Sequence, residues 1–123
     1  MIVVWLAVAG GLGAAARLVL DGAVRERTEA PGLGTMLVNL TGSLLLGLVA
    51  GVAAASVLPV SLRLVLGTGF LGGYTTFGTA SVETARLVQQ RRWAAAALHG
   101  PGMLVGSVAL AGAGIWLGLH AGR

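Results

Sequence analysis

The sequence contains no cysteine and no lysine, and charged and aromatic residues are scarce. Without cysteine, disulfides and thiolate metal sites are excluded. Only 10% of the 123 residues are charged, whereas 56% are hydrophobic and the mean hydropathy is +0.90. Since about 20 apolar residues cross a bilayer, this composition predicts an all-α membrane protein with one domain of four spans. The net charge of +4 comes from arginines between apolar runs, a pattern that does not favour nucleic-acid binding.

Acidic residues are equally scarce, and none of the four lies in the middle of an apolar run. A proton-coupled carrier or a small exporter of cations or drugs usually needs a carboxylate inside the membrane. Such an exporter therefore remains only an alternative function. No Ser/His/Asp set and no cluster of metal ligands is present to support an enzyme.

Four apolar segments define the predicted spans, at residues 2–20, 35–58, 61–85 and 100–119. A signal peptide competes for the first segment, but the positive n-region is missing and three further spans follow. Small residues in the first and fourth spans indicate faces for close helix packing. These residues are Gly10, Gly13 and Ala14, then Ser107, Ala111, Gly114 and Gly118.

Residues 67–81, GTGFLGGYTTFGTAS, are unusual for a membrane helix because they include five glycines and four threonines. Glycine is a weak helix former and threonine a modest one, so the third span is predicted to break in mid-membrane. Freed carbonyls there can bind a cation, and hydroxyls and amides can hold an anion. The stretch therefore predicts an ion site. Its G-x-G-x-x-G match lacks the preceding strand and following acid of a dinucleotide site.

A few polar residues within or near the spans allow two interpretations each. Asn39 shares a helix face with Ser43, and it either holds the helices together or lines a pore. Arg17 either snorkels to the interface or serves a structural or ion-attracting role. Glu83 and Arg86 are expected to pair or to face water. The two histidines lie at span ends and are expected to be solvated: His99 and His120.

The chain resembles the Fluc (CrcB) fluoride channels in all four spans. Gly10, Gly13, Ala14 and Arg17 match the family pattern GxxGAxxR. Residues 34–47, GTMLVNLTGSLLLG, are similar to GTLxVNxxGSFLLG, and residues 69–83, GFLGGYTTFGTASVE, are similar to GFxGGxTTFSTFSxE. The second and third motifs are long and specific, whereas the fourth span matches mainly through Ser107.

The resemblance implies an antiparallel dimer with two pores and a central structural Na⁺ held by the backbone carbonyls of Gly72 and Thr75. Fluoride is small and tightly hydrated, so compact amide and hydroxyl donors and positive aromatic edges suit its path. The expected path residues are Asn39, Ser43, Thr76, Phe77, Thr79 and Ser107, with Arg17 near the pore mouth. The chain departs from the family at Gly78, where a serine is usual, and at Ala80, where a second phenylalanine is usual.

The arginines also predict an orientation in the cell inner (plasma) membrane. The loops after the first and third spans carry five arginines, against two on the other side. Short, positively charged loops stay in the cytoplasm, so both termini are predicted to lie outside. A chain with one orientation needs an oppositely inserted homologous subunit, whereas an identical antiparallel partner requires dual topology. Fluoride and membrane lipid are the other expected partners, and a non-conducting partner subunit is a further alternative.

Overall fold

A computed structural model describes residues 1–30, 32–55 and 58–121 of the chain. Helix makes up 87% of the structure, and these residues contain no strand, so the all-α prediction is confirmed. Among the described residues, three helical stretches are long and apolar enough to cross a membrane: Ile2–Arg27, Leu33–Ala54 and Trp93–His120. The remaining predicted span is interrupted.

The helices follow one another with short connections. In chain order they are α1 (Ile2–Arg27), α2 (Leu33–Ala54), α3 (Val60–Arg63), the π-helix π1 (Leu64–Leu71), α4 (Gly72–Tyr74), α5 (Gly78–Gln89), α6 (Trp93–Ala97), the π-helix π2 (Leu98–Gly102) and α7 (Met103–His120). The residues at the α3–π1, π1–α4, α6–π2 and π2–α7 junctions keep right-handed helical dihedral angles. Each of these two groups therefore forms one continuous helical rod.

Two helices are longer than the sequence pattern predicted. The first continues through the expected polar loop to Arg27, where an ion pair between Asp21 and Arg25 spans one turn at 3.1 Å. The fourth begins at Trp93 rather than at residue 100, because the alanines that follow Trp93 are strong helix formers. Conversely, α2 ends at Ala54. Predictions on Pro31, Ser56, Val57 and Arg123 concern residues outside the described ranges.

The predicted break in the third span is confirmed. Helix α4 ends at Tyr74, Thr75 adopts an extended conformation with φ −81° and ψ 157°, and α5 begins at Gly78. Both the N–H and the hydroxyl of Thr75 donate to the Leu71 carbonyl, each at 3.0 Å. The helix end is thus closed at Thr75, and two residues, Thr76 and Phe77, connect it to the next helix.

Glycines set the distance between α2 and α7. A Cβ on Gly114 would lie 2.7 Å from the Leu48 nitrogen, and a Cβ on Gly118 would lie 2.6 Å from the Val52 nitrogen. Real side chains do not approach a backbone so closely, so only glycine permits this contact. The predicted packing stripe on the fourth span is confirmed at Gly114 and Gly118, and also at Ala111, whose backbone meets Gly47.

Helix α1 packs against π1 and α4 in the same manner. A Cβ on Gly13 would lie 2.9 Å from the Tyr74 nitrogen, and Gly73 lies against the backbone of Gly10. Beneath this contact, a small core forms around fully buried Val38 together with Leu71 and Tyr74. Many large apolar side chains on the outer helix faces remain exposed, as expected for surfaces that meet lipid or another subunit.

Candidate functional site at the helix break

A groove of about 860 Å³ runs beside the break, between α2, α5 and α7. Its polar lining comes mainly from amide and hydroxyl groups, and its apolar lining includes Phe77, Ala80 and Met103. Phe77 is 86% exposed, so no other part of the described chain covers its ring. Five of the six predicted path residues line this groove: Asn39, Ser43, Thr76, Phe77 and Ser107.

The side chain of Asn39 pairs with the broken backbone. Its Nδ2 donates to the Thr76 carbonyl at 2.8 Å, and the Thr76 N–H donates to its Oδ1 at 2.8 Å. The same Nδ2 lies 3.5 Å from the Met103 sulfur, a weak acceptor. Asn39 therefore holds α2 to the connection between α4 and α5 while it also lines the groove. These bonds support the interpretation that Asn39 holds the helices together, and its role as a pore-lining residue stays a prediction.

Thr76 offers the groove a free donor. The Thr79 N–H donates to the Thr76 Oγ1 at 3.2 Å, an interaction that resembles a helix N-cap. Because this bond uses a lone pair of the Thr76 oxygen, the hydroxyl hydrogen remains available to another acceptor. Thr79 itself is exposed and does not line the groove. Its backbone positions the Thr76 hydroxyl.

The carbonyls around the break provide oxygen ligands of the kind a hard cation prefers. In an uninterrupted helix the Thr76 N–H would donate to the Gly72 carbonyl, but it donates to Asn39 instead. The carbonyl end of a helix also carries partial negative charge. No group of three or more His, Cys, Asp or Glu residues occurs within residues 1–30, 32–55 and 58–121. The backbone carbonyls of Gly72 and Thr75 stay predicted ligands of a cation.

Other predicted residues lie away from the groove. Arg17 is half-buried and is not among the lining residues. The expectation that Glu83 faces water or pairs with Arg86 was wrong. The Glu83 side chain is only 15% exposed, its Oε1 accepts the Thr35 hydroxyl at 3.0 Å, and Arg25 lies 3.8 Å away. The long α1 brings Arg25 to Glu83, an approach that a loop at residues 21–34 did not suggest.

The expectation of two solvated histidines was half wrong. His120 is exposed, but His99 is 7% exposed and lines the groove. The early start of the fourth helix explains this burial, because His99 lies a turn and a half inside a helical rod rather than at its end. The sequence analysis also missed Met103 and Thr84 as lining residues. A prediction that the fourth helix starts at Trp93 would have placed His99 inside the helix.

Three long apolar helices and a third span that breaks beside the groove define a small polytopic membrane protein. The sequence model of the family described as CrcB-like protein, Camphor Resistance (CrcB), matches residues 4–119. The chain is therefore a member of the CrcB family.

Curated relatives agree with this assignment. The chain is 54% identical over 119 residues to Fluoride-specific ion channel FluC 1 of Leifsonia xyli subsp. xyli, covering 96% of this chain and 87% of the relative. It is 46% identical over 120 residues to Fluoride-specific ion channel FluC 2 of Cutibacterium acnes, covering 96% and 98%. It is 40% identical to a FluC 1 of Geobacillus kaustophilus, covering 97% and 96%.

Proposed function

We propose that this chain is a fluoride channel that conducts fluoride passively across the cell inner membrane and lowers the fluoride content of the cytoplasm. The observation that carries the proposal is the groove beside the break, where the Asn39 amide and the Thr76 hydroxyl lie on facing elements. Relatives up to 54% identical to this chain over the aligned residues are named fluoride-specific ion channels. The role follows from weak-acid chemistry: HF crosses lipid as a neutral molecule and ionises inside, so an anion pathway relieves the load.

The groove suits fluoride because its donors are compact. The free-energy cost of removing water from a tightly hydrated anion is smaller when amide and hydroxyl hydrogens take the place of the water. The exposed edge of Phe77 adds the positive part of its ring quadrupole. Ser43 and Ser107 extend the hydroxyl track along α2 and α7. Arg17 lies outside the groove, and its positive charge is proposed to attract anions toward the pore mouth.

The pathway is proposed to close only when a second, antiparallel subunit packs against the groove. In one subunit Phe77 is 86% exposed, and the helices carry many other exposed large apolar side chains. A partner would cover these faces and turn each of two grooves into a pore. The partner is either an identical chain or a homologous subunit of opposite orientation. In the second case, the partner would supply the second phenylalanine of the motif, whose position is occupied by Ala80 in this chain.

A structural Na⁺ is proposed at the centre of this dimer, with the carbonyls of Gly72 and Thr75 as its ligands. Gly72 is the first residue of the short helix α4, and Thr75 caps its C-terminal end. A fixed cation there would raise the local potential for an anion. The protein's own residues bind and orient the ion without a long cationic side chain in the pore.

The decisive experiment is fluoride efflux from liposomes that contain only this chain. If an identical chain completes the pores, the protein should release fluoride with little chloride efflux under the same gradient. Equal fluoride and chloride rates would reject a fluoride-selective pathway. No efflux from the chain alone, with efflux restored by a coexpressed paralogue, would favour the partner-subunit alternative. A small exporter of cations or drugs is the competing function, and efflux driven by a proton gradient would favour it.

A further inference from the structure

A second groove, the α1–α2 groove, lies between the last turns of α1 and the start of α2. Its volume is about 390 Å³, and none of its lining residues also lines the groove beside the break. One face of α1 lines it from Leu20 to Thr28, and Leu33 and Leu37 line it from α2. Among these lining residues only Arg27 and Thr28 are polar, and both lie at the C-terminal end of α1. The α1–α2 groove is therefore apolar along its length and polar at one end.

The α1–α2 groove has the depth of one leaflet of a bilayer. Helix α1 has 26 residues and is about 39 Å long, which exceeds the hydrocarbon core of about 30 Å, so its charged last turn reaches the lipid headgroups. From Arg27 to Leu20 the groove descends two turns, about 10 Å, into a leaflet whose apolar part is about 15 Å thick. A transmembrane helix of a partner would need a contact that continues across both leaflets. A lipid acyl chain needs only this depth.

At the level of the headgroups, the α1–α2 groove offers two kinds of donor to a phosphate. Arg27 is exposed, and both ion pairs that the structure describes involve Arg25 instead. The Ala30 N–H donates to Thr28 Oγ1 at 3.2 Å, so the hydroxyl hydrogen of Thr28 remains available to another acceptor. Guanidinium and hydroxyl hydrogens are donors that phosphate oxygens accept, and the guanidinium bond is strengthened by charge.

The charges beside Arg27 indicate which headgroup fits. Glu26 precedes Arg27 and Glu29 follows Thr28, and both glutamates are exposed. Residues 26–29 thus carry two carboxylates and one guanidinium, so an anionic headgroup would be attracted by Arg27 but repelled by its neighbours. A headgroup with a phosphate and a primary ammonium meets both signs of charge, because the ammonium donates hydrogens to carboxylates. This sequence of charges favours an ethanolamine headgroup over an anionic glycerol headgroup.

We propose that the α1–α2 groove binds a phospholipid with an ethanolamine headgroup. The phosphate contacts Arg27 and Thr28, the ammonium faces the neighbouring glutamates, and one acyl chain follows the groove toward Leu20. The bound lipid completes the packing of α1 against α2 at this end of the molecule. Such a lipid site would exist whether or not the chain conducts fluoride, because it requires only that the helices lie in a membrane.

The test is native mass spectrometry of the full chain, with phosphatidylethanolamine or phosphatidylglycerol of the same acyl chains added in turn. We expect the wild type to retain at least about threefold more of the ethanolamine lipid. Arg27→Gln should reduce this retention about tenfold, because a charge-assisted hydrogen bond to the phosphate is lost. Arg92→Gln is the matched control, since it removes an exposed arginine that does not line the α1–α2 groove. Its retention should equal that of the wild type.

A second pair of variants tests the place of the acyl chain. Ala23 is exposed and lines the α1–α2 groove, so Ala23→Phe should fill the groove without unfolding the chain and should reduce lipid retention severalfold. Val19→Phe is its control, since Val19 is exposed but lies outside the groove.

Three results would overturn the lipid site. They are equal retention of the two lipids by the wild type, unchanged retention in Arg27→Gln, and unchanged retention in Ala23→Phe. A further variant tests whether a second subunit covers the α1–α2 groove instead. Ala23→Cys contains a single cysteine, and a disulfide that joins two copies through it in the membrane would also contradict a lipid in this place.

Discussion

Asn39 and Thr76 exchange two hydrogen bonds of 2.8 Å, one in each direction, across the break in the third span. The amide side chain replaces the helical partners that the Thr76 backbone lost when the helix ended. An irregular backbone inside a membrane needs such a substitute. The break is therefore stabilised from α2, and the residue that stabilises it also lines the groove.

This pairing predicts two separate effects for Asn39→Leu. Leucine has a similar size but leaves the Thr76 N–H and carbonyl without their partners, at about 1–3 kcal/mol for each group. We expect a lower melting temperature and at least about a tenfold loss of fluoride flux, with the dimer still assembled. Thr41→Val is a control in the same helix, since Thr41 bonds to Tyr74 and to its own helix. Undiminished flux in Asn39→Leu would reject a role in the ion path.

Substitutions at Phe77 and Ala80 are predicted to change the fluoride flux in opposite directions. Phe77 is 86% exposed in one subunit, so Phe77→Leu should barely change the stability of the subunit but should reduce fluoride flux. Ala80 lines the same groove, and Ala80→Phe would restore a second ring edge. We expect Ala80→Phe to increase fluoride flux in liposomes of this chain alone. If Ala80→Phe blocks flux, the ring occupies the path instead of lining it.

The close contact of α2 with α7 predicts a sharp difference between two neighbouring glycines. A Cβ on Gly114 would lie 2.7 Å from the Leu48 nitrogen, whereas a Cβ on Gly112 meets nothing within 4 Å. Gly114→Ala should push the helices apart and destabilise the protein by about 1–3 kcal/mol. Gly112→Ala should be neutral or slightly stabilising, since alanine favours helix. Thermal unfolding in detergent compares the two variants, and equal melting temperatures would contradict the packing described for α7.

The sequence predicted the features that depend on neighbouring residues, but not those that depend on contacts between residues far apart in the chain. Residues 67–81 predicted the break, because glycine and threonine are poor helix formers locally. Five of the six expected path residues line one groove, because they share helix faces or belong to a specific motif, and their role in conduction stays a prediction. The burial of His99 and the partners of Glu83 were not predicted. They depend on where α1 ends and α6 begins. They also depend on Gly32, which leaves room for both side chains because it has no Cβ.

The proposed Na⁺ site predicts that Gly72 and Gly73 differ although they are adjacent. A Cβ on Gly72 would meet only the Gly67 carbonyl at 3.9 Å, whereas a Cβ on Gly73 would lie 3.0 Å from the Cα of Gly10. Gly73→Ala should therefore destabilise the single subunit. Gly72→Val should leave the subunit folded but should impair dimer assembly and flux, and Thr75→Ser should be mild because the ligand is a backbone carbonyl. A high-resolution map in sodium buffer with only water between these carbonyls would refute the site.

Orientation decides which partner completes the pores. Arg25, Arg27, Arg86, Arg91 and Arg92 lie on the side of the first and third connections. By the order of the spans in the sequence, Arg63 and Arg123 fall on the opposite side, and this bias predicts a cytoplasmic location for the first group. We therefore expect both termini outside and one dominant orientation, which requires an oppositely inserted homologous subunit for an antiparallel dimer. Reporter fusions at the C-terminus should give a signal almost entirely from the outer side.

The control for orientation is a variant in which the bias is reversed. Replacing Arg91 and Arg92 by Gln and Leu62 and Leu64 by Arg moves two charges to the other side of the membrane, so the reporter signal should shift toward the cytoplasm. Comparable signals from both sides in the wild type would instead demonstrate dual topology. An identical chain would then suffice as the antiparallel partner. Because Ala80 occupies the position of the motif's second phenylalanine, each subunit would contribute only Phe77 to the pores.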